Sequence, residues 1–373
     1  ATGWRVPLAP SWIIGHKTRT VARLIPDKKT KSFRIDIIQN VSLEEMEEAK
    51  QATASTNGIF CPVDRDGNLI PPHLRTATPI GEIRGREGLR LWDDGDVVPR
   101  QSDAFQERLY CIRWVDPETG NKYYRAPTEA DIEREDKVNR LLKKRFHEWQ
   151  EKGYIPHRRI EPGDKTDEPI RTRGWTHWHH LYNPRQLLMI GLFQKISDEI
   201  ATSPQDRVVL LLGIGRLADW CSRLSRWDSS AANEKGAQAY FNQALNPLAN
   251  YATRGFGALK TSWHFSVPER SISSNSEILP LDARITNYSA DLWVTDPPYA
   301  DAVNYEELSE LFLAWYEKRL PVLFPEWYTD SKRALAVKGA DENFRVAMVE
   351  CYKKLAEKMP DNGFQLVMFT HQD

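Results

Sequence analysis

The tetrapeptide Asp296-Pro297-Pro298-Tyr299 combines residue types that could carry out a specific chemistry. The aspartate can accept a hydrogen bond from an NH2 group. Each proline fixes φ and lacks an N–H, so the backbone carbonyls beside it are held stiffly as acceptors. The tyrosine offers a flat face on which a planar base can stack. Together these groups suit a planar amine that attacks an electrophilic methyl group, although Asp-Pro-Pro alone is also typical of a turn.

The residues around this tetrapeptide predict that it follows the end of a strand. Leu292 and Val294 alternate with Trp293, which is the spacing of a strand. In open α/β sheets, ligands bind beyond the carboxyl ends of the strands. The segments that follow are predicted to be two amphipathic helices and an apolar strand, over 305–320, 342–358 and 364–369. This order of elements indicates part of a parallel, doubly wound sheet.

The rest of the chain divides into two further regions. Residues 1–127 alternate like short strands at 20–25 and 33–38 and contain a predicted hairpin with strands at 109–115 and 122–125, so we expect a β-rich region. Residues 128–284 are predicted to be mostly helical, with helices over 128–150, 183–196, 208–226 and 236–251. Thr128 with Asp131 resembles a capping pair for the first of these helices, and Asn183-Pro184 is a good N-cap and first-turn pair for the second. Residues 285–373 carry the tetrapeptide. The predicted fold class is therefore α/β, a part of a Rossmann-like sheet with a β-rich N-terminal region and a helical insertion.

Composition limits the possible partners and compartments. The chain has 51 basic and 52 acidic residues, so a nucleic-acid partner would need a local basic patch. Four scattered cysteines favour a reducing compartment, and we expect a cytoplasmic protein. No apolar run is long enough for a membrane span, and no signal peptide is visible. The chain begins at Ala1 and its first methionine is Met46, so we expect it to be a piece of a longer protein.

A second candidate site is the glycine pair in Gly213-Ile214-Gly215-Arg216-Leu217-Ala218. It follows an apolar run, and Glu234 lies about twenty residues later, as in a dinucleotide-binding loop. However, the apolar spacing from Val209 to Leu224 continues at helical period through both glycines. We therefore favour a packed helix over a nucleotide loop.

A third candidate is the segment 171–180, which is rich in arginine, tryptophan and histidine. Basic and aromatic side chains there could track phosphates and stack bases, and the candidates are Arg171, Arg173, Trp175 and Trp178. An ordinary packing cluster of aromatic residues is an equal alternative. The histidines of the segment, His177, His179 and His180, have no partner Cys or carboxylate at ligand spacing, and we expect no metal.

The tetrapeptide and its flanks resemble the adenine-specific DNA methylases that contain a zinc ribbon. The tetrapeptide is followed by an Asp-Ala-Val-x-Tyr-x-x-Leu-Ser pattern over 301–309, and the resemblance extends to residues 123–128, 183–188, 225–227 and 311–319. It implies S-adenosylmethionine as the methyl donor and the N6 amino group of adenine in DNA as the acceptor. It also implies the catalytic residues Asp296, Pro297, Pro298 and Tyr299.

In such an enzyme the Asp296 carboxylate and the Pro297 carbonyl would bind the amine. The flipped adenine would lie against Tyr299. Asn304 and Tyr305, just beyond the motif, are candidates for lining the substrate pocket.

Two features depart from the family pattern. Its members use an aromatic-x-Gly-x-Gly loop for the cofactor, and no convincing copy occurs here, so the cofactor-binding residues stay unassigned. The zinc ribbon is incomplete, because Cys61-Pro62-Val63-Asp64 has an aspartate where a second cysteine is expected. We therefore expect a degenerate ribbon-like region without metal. We also expect a requirement for the missing N-terminal part of the same protein or for a partner subunit.

Two alternatives to adenine methylation stay open. The same motif would suit an amino methyltransferase that acts on RNA guanine or on protein glutamine. A chain without a cofactor loop could also be a non-catalytic DNA-binding or assembly module. Restriction, phage defence and regulation are the biological roles open to such an enzyme.

Overall fold

The chain is mixed α/β, with several small sheets set among helices. The computed structural model describes residues 3–81, 88–240, 244–264, 276–298, 303–326, 331–338 and 342–368. The strands are β1 (Ile13–Gly15), β2 (Thr20–Asp27), β3 (Ser32–Ile38), β4 (Ala54–Ser55), β5 (Gly58–Phe60), β6 (Ala77–Thr78), β7 (Ile112–Val115), β8 (Lys122–Arg125), β9 (Trp227–Asp228), β10 (Lys235–Gly236), β11 (Leu292–Thr295) and β12 (Phe364–Val367). The α-helices are α1 (Leu43–Glu48), α2 (Glu129–Glu151), α3 (Asp167–Arg173), α4 (Pro184–Ile200), α5 (Pro204–Trp220), α6 (Phe256–Leu259), α7 (Tyr305–Leu308), α8 (Glu310–Tyr316), α9 (Leu320–Leu323) and α10 (Glu342–Glu357).

The N-terminal region is β-rich, as predicted. Strands β1, β2 and β3 form an antiparallel sheet, and β4, β5 and β6 form another. The predicted hairpin is confirmed, with β7 antiparallel to β8. Its turn is closed by the Asp116 carboxylate, which accepts hydrogen bonds from the backbone N–H groups of Glu118 and Thr119.

A buried carboxylate and an indole join the N-terminal sheet to the central region. Glu234 follows the short strand β9 and is fully buried. Its carboxylate accepts hydrogen bonds from the backbone N–H of Thr18 at 2.9 Å and from the Tyr124 hydroxyl at 3.1 Å. The indole of Trp227 donates to the carbonyl of Ile14 at 2.7 Å. Glu234 is therefore a structural link, and its carboxylate is not available to a nucleotide ribose.

The long central helices begin where their capping residues predict. Thr128 and Asp131 form a capping box at the start of α2. Asn183 and Gln186 do the same for α4, with Pro184 at the first helical position. Helices α4 and α5 pack together, and their apolar faces enter the main core, which is built around Trp178, Leu187, Ile190, Ile214, Leu217 and Trp315.

Two predicted helices differ from the structure. The helix expected over 236–251 is wrong, because the described part of this segment contains only β10, loops and turns. The backbone N–H groups of Ala237 and Ala239 donate to the carbonyls of Arg226 and Asp219, and not along a helix. The helix expected over 208–226 instead spans α5 and ends at Trp220.

The C-terminal segment contains the predicted strand, helix and strand. Strand β11 pairs in parallel with β12, with Leu292 opposite Phe364 and Val294 opposite Leu366. Helix α10 lies between them in the chain, close to its predicted bounds. The four paired residues are each more than half exposed. Parallel sheets are ordinarily covered on both faces, so this pair differs from a complete doubly wound sheet, which the described residues do not contain.

The helical part of this segment is broken more often than predicted. The helix expected over 305–320 is divided into α7, α8 and α9.

Across the described ranges, no helix is both long enough and apolar enough to cross a bilayer.

Candidate functional site

The Asp-Pro-Pro motif lies where the sequence predicts, directly after the carboxyl end of a parallel strand. Strand β11 ends at Thr295, whose carbonyl accepts a hydrogen bond from the backbone N–H of Met368 at 2.8 Å. Asp296 and Pro298 are exposed, and Pro297 is half-buried. The carboxylate is therefore accessible from solvent. Tyr299, the fourth residue of the motif, lies outside the described residues.

The helices that follow the motif are fixed in the main core. Leu308 and Leu311 are buried there, and Trp315 packs edge-on against the ring of Tyr182 with 5.0 Å between centroids. The amide of Gln194 donates to the carbonyl of Trp315 at 2.9 Å. The polypeptide is thus held firmly a short distance after the motif.

A buried carboxylate attaches α7 to a loop far away in the sequence. Glu307 accepts hydrogen bonds from the backbone N–H groups of Asp164, Lys165 and Thr166, at 3.1, 2.8 and 3.2 Å. Burial by itself would raise the pKa of Glu307. The hydrogen bonds from the backbone N–H groups of Lys165 and Thr166 lower the pKa by more than burial raises it, so the resulting pKa lies below the ordinary value. Glu307 is therefore ionised at neutral pH.

A second buried carboxylate makes the same connection through an arginine. The Glu310 carboxylate pairs with Arg333 at 2.8 Å. The same guanidinium donates to the backbone carbonyls of Pro162 and Glu161, at 2.8 and 2.9 Å, and to the Thr166 hydroxyl at 3.1 Å. We call residues 161–166 the anchor loop, because Glu307 and Arg333 both bind it.

The two residues predicted to line the substrate pocket have different surroundings. The Asn304 amide lies 3.4 Å from the Glu307 carboxylate and 3.5 Å from the Asp164 carboxylate, so it is directed towards the anchor loop. Tyr305 is 64% exposed and can reach a ligand in solution. Of this pair, Tyr305 is the freer to contact a substrate.

The predicted basic–aromatic surface is wrong for its two tryptophans. Trp175 and Trp178 are buried in the main core, so their rings cannot stack on a base. Arg173 lies over the ring of Phe105, with its guanidinium carbon 4.9 Å from the centroid. Arg171 is exposed and is paired with a neighbouring glutamate. The packing cluster, which was the alternative interpretation, describes this segment.

The three histidines of this segment are also buried. The Nδ1 of His180 accepts from the backbone N–H of Thr176 at 3.0 Å, while its Nε2 faces the carbonyl of Asp93 at 3.0 Å. Both ring nitrogens of His179 face carbonyl oxygens, those of Pro156 at 3.1 Å and Asp94 at 2.8 Å. A neutral imidazole can donate to only one of these carbonyls. Burial and the neighbouring His177 lower the pKa of His179 to about 3.

We expect these histidines to make the fold sensitive to mild acid. In the unfolded chain, His179 takes up a proton near pH 6.5. In the folded chain, its pKa is lowered to about 3, so it stays neutral in mild acid. Stability should therefore fall as the pH drops below 6.5, by about 2 kcal/mol at pH 5 for this one residue. Urea unfolding at pH 7 and pH 5 measures the change. The H179Q variant should show a smaller pH dependence, and an unchanged dependence would contradict the prediction.

The glycine pair belongs to a packed helix, as the apolar spacing predicts. Gly213 and Gly215 lie inside α5 and are buried. A Cβ at Gly213 would overlap the indole nitrogen of Trp263, and one at Gly215 would overlap the hydroxyl of Tyr316. The glycines therefore allow close helix packing and do not form a cofactor loop.

Substituting Gly213→Ala should destabilise the fold by about 1–3 kcal/mol, because the new methyl group overlaps the Trp263 ring. Chemical denaturation followed by tryptophan fluorescence measures the loss. Gly257→Ala, in α6, is the matched control, since no atom lies within 4 Å of its added Cβ. A destabilised G257A with an unchanged G213A would contradict the packing role.

The described residues do not supply an evident site for the methyl donor. The glycine pair does not fit one, and no other glycine-rich loop follows a described strand. The incomplete ribbon segment at Cys61 is held by hydrogen bonds within the segment. The Cys61 thiol donates to the carbonyl of Val63 at 3.2 Å, and the Asp64 carboxylate accepts from the backbone N–H of Asn68. Over the described ranges, no group of three or more His, Cys, Asp or Glu side chains is arranged to hold a metal ion.

Sequence reasoning missed the two buried glutamates after the motif. Glu307 and Glu310 are three residues apart, next to the apolar Leu308 and Leu311 on the buried side of the helices. Acidic residues at such positions require buried partners, and this pattern is the signal that could have identified them. Their partners, in the anchor loop and at Arg333, cannot be identified from local spacing.

Comparison of the chain with protein families, with curated proteins and with solved structures gives no match.

Proposed function

We propose that this chain provides the acceptor-binding part of an S-adenosylmethionine-dependent methyltransferase that acts on the N6 amino group of adenine in DNA. The observation that carries the proposal is the Asp296-Pro297-Pro298 motif, with the Asp296 side chain exposed, at the carboxyl end of a parallel strand. Binding sites of doubly wound sheets occupy this position. We infer that β11 and β12 belong to such a sheet.

The proposed chemistry uses two acceptors for one amino group. The Asp296 carboxylate accepts one N–H of the amine, and the carbonyl of Pro297 accepts the other. Both interactions would draw the nitrogen lone pair out of conjugation with the ring, so that the nitrogen could attack the methyl group of the donor. The new N–C bond would form as the S–C bond of the donor sulfonium breaks, the donor would leave as a thioether, and the amine would release one proton. The rigid φ of the consecutive prolines keeps the carbonyl in place, and Tyr299 would supply the stacking face for the extruded base.

Transfer of a labelled methyl group tests this function. The whole gene product, supplied with labelled S-adenosylmethionine, should label DNA at N6 of adenine. Matched RNA and protein acceptors test the two related enzymatic functions. Label on guanine in RNA or on glutamine in protein would keep the motif chemistry and reject the DNA substrate.

A non-catalytic DNA-binding module is the second candidate function. It is favoured by the packing of Gly213 and Gly215 inside α5, where the glycine pair contacts other side chains instead of forming a cofactor loop. Titration of this chain with DNA and, separately, with S-adenosylmethionine distinguishes the two. Binding of DNA without methyl transfer by the whole gene product would support the module.

A further inference from the structure

Two buried carboxylates tie the segment after the motif to a loop about 140 positions earlier. Glu307 binds three consecutive backbone N–H groups of the anchor loop, and Arg333 joins that loop to Glu310. We propose that Glu307 and Arg333 are positioning residues that hold the start of α7 beside the anchor loop and thereby set the shape of the substrate pocket. This inference rests on the function proposed above.

The location of these contacts relative to the motif supports the proposal. Only four residues, 299–302, separate Pro298 from Val303. They can span at most about 3.6 Å each. The contacts that fix α7 therefore also fix the candidate pocket residues at its start, Asn304 and Tyr305, which lie close to the motif along the chain. The amide of Asn304 also lies within 3.5 Å of Asp164 of the anchor loop.

The chemistry of the contacts favours position over simple stability. Buried ion pairs and carboxylates lose hydration, and apolar residues of similar size often stabilise a fold equally well. Directional hydrogen bonds, in contrast, fix an orientation. Three backbone N–H groups donate to the Glu307 carboxylate. Arg333 donates to five acceptor atoms, which lie on Glu310 and in the anchor loop. Neither arrangement can be reproduced by an apolar contact.

The glutamate side chain fits its site in both length and charge. Aspartate at position 307 would be one methylene too short to reach the backbone of Lys165 and Thr166. Glutamine has the right length, but its NH2 group would face a backbone N–H. Lysine at position 333 would keep the charge and lose the planar fork that serves several acceptors. We expect E307Q to keep part of the function of the site and E307A to lose it.

The test compares E307A, E307Q, R333K and D296A in the whole gene product, with E306Q as the matched control. Glu306 is the adjacent acidic residue, and its carboxylate makes no hydrogen bond or ion pair within the described part of the chain. The rate constant kcat and the KM for a DNA duplex are measured for each variant. Hydrogen–deuterium exchange of residues 303–309 is measured in parallel, and circular dichroism verifies folding.

In E307A we expect kcat to fall about 100-fold with KM changed less than about threefold, because the reacting groups are misplaced. Exchange at 303–309 should accelerate. E307Q and R333K should lie between E307A and the native protein, and E306Q should match the native protein.

The two hypotheses fail in different ways. Full activity of D296A would reject the proposed function. An inactive D296A with an E307A that matches E306Q in kcat would overturn the positioning role. Unchanged hydrogen–deuterium exchange at 303–309 in E307A would overturn the positioning role, even if no acceptor is methylated. Faster exchange in E307A but not in E306Q would support the positioning role independently of turnover.

Discussion

Replacing Asp296 with alanine should reduce methyl transfer to adenine by a factor on the order of 10³, because it removes the charged acceptor of the proposed amine site. The carboxylate is exposed, so the fold should be unaffected. The free energy of unfolding should change by less than about 0.5 kcal/mol. The measurement is kcat with labelled donor and a DNA duplex. D296N, which keeps a neutral acceptor at the same place, should retain more activity than D296A.

Asp291 provides the matched control for this experiment. It is an exposed aspartate just before the same strand, at the opposite end from the motif. D291A should transfer methyl groups at the native rate. Equal loss in D291A and D296A would indicate that the substitutions damage the strand. Native activity in D296A would defeat the assignment of the motif.

Replacing Arg223 with alanine should destabilise the fold by about 3–5 kcal/mol, the largest stability effect that we expect from one substitution. The guanidinium is buried and paired with Glu107 through two nitrogens, at 2.5 and 2.8 Å. It also donates to the backbone carbonyls of Val97, His180 and Tyr182. Its removal takes this donor away from the three carbonyls and leaves the Glu107 carboxylate with the neutral Tyr251 hydroxyl in place of a charged partner.

Urea unfolding measures this loss, and two further variants locate its cause. R223M refills much of the volume without restoring a donor, so it should be nearly as unstable as R223A. Arg207 lies exposed on α5, and R207A should change stability by less than about 0.5 kcal/mol. Recovery of native stability in R223M would show that volume, and not hydrogen bonding, determines the loss.

Local signals predicted much of the secondary structure. The capping pairs at Thr128 and Asn183 set the starts of α2 and α4, and the alternation around Val294 identified the strand before the motif. Helical spacing also separated a packed helix from a cofactor loop at Gly213. In each case the sequence signal lies within a few residues of the chain, although the partner can be distant, as β12 is for the strand before the motif.

The errors arise where distant contacts decide the outcome. Trp175 and Trp178 look like a stacking surface in the sequence, but the core that buries them is formed by other helices. The segment after Gly236 is predicted to be helical, yet the backbone N–H groups of Ala237 and Ala239 donate to residues on other segments. Glu307 and Arg333 likewise find partners more than 100 positions away. The doubly wound sheet beyond the β11–β12 pair stays a prediction.

The hydrogen bond between Thr18 and Glu234 also has a consequence for synthesis on the ribosome. The two residues are 216 positions apart. At ordinary elongation speeds, the nascent chain carries Thr18 for on the order of 10 to 40 s before Glu234 is made. During this interval the sheet of β1, β2 and β3 lacks the Glu234 carboxylate. Chaperones that bind unfinished chains can bind the sheet during the same interval.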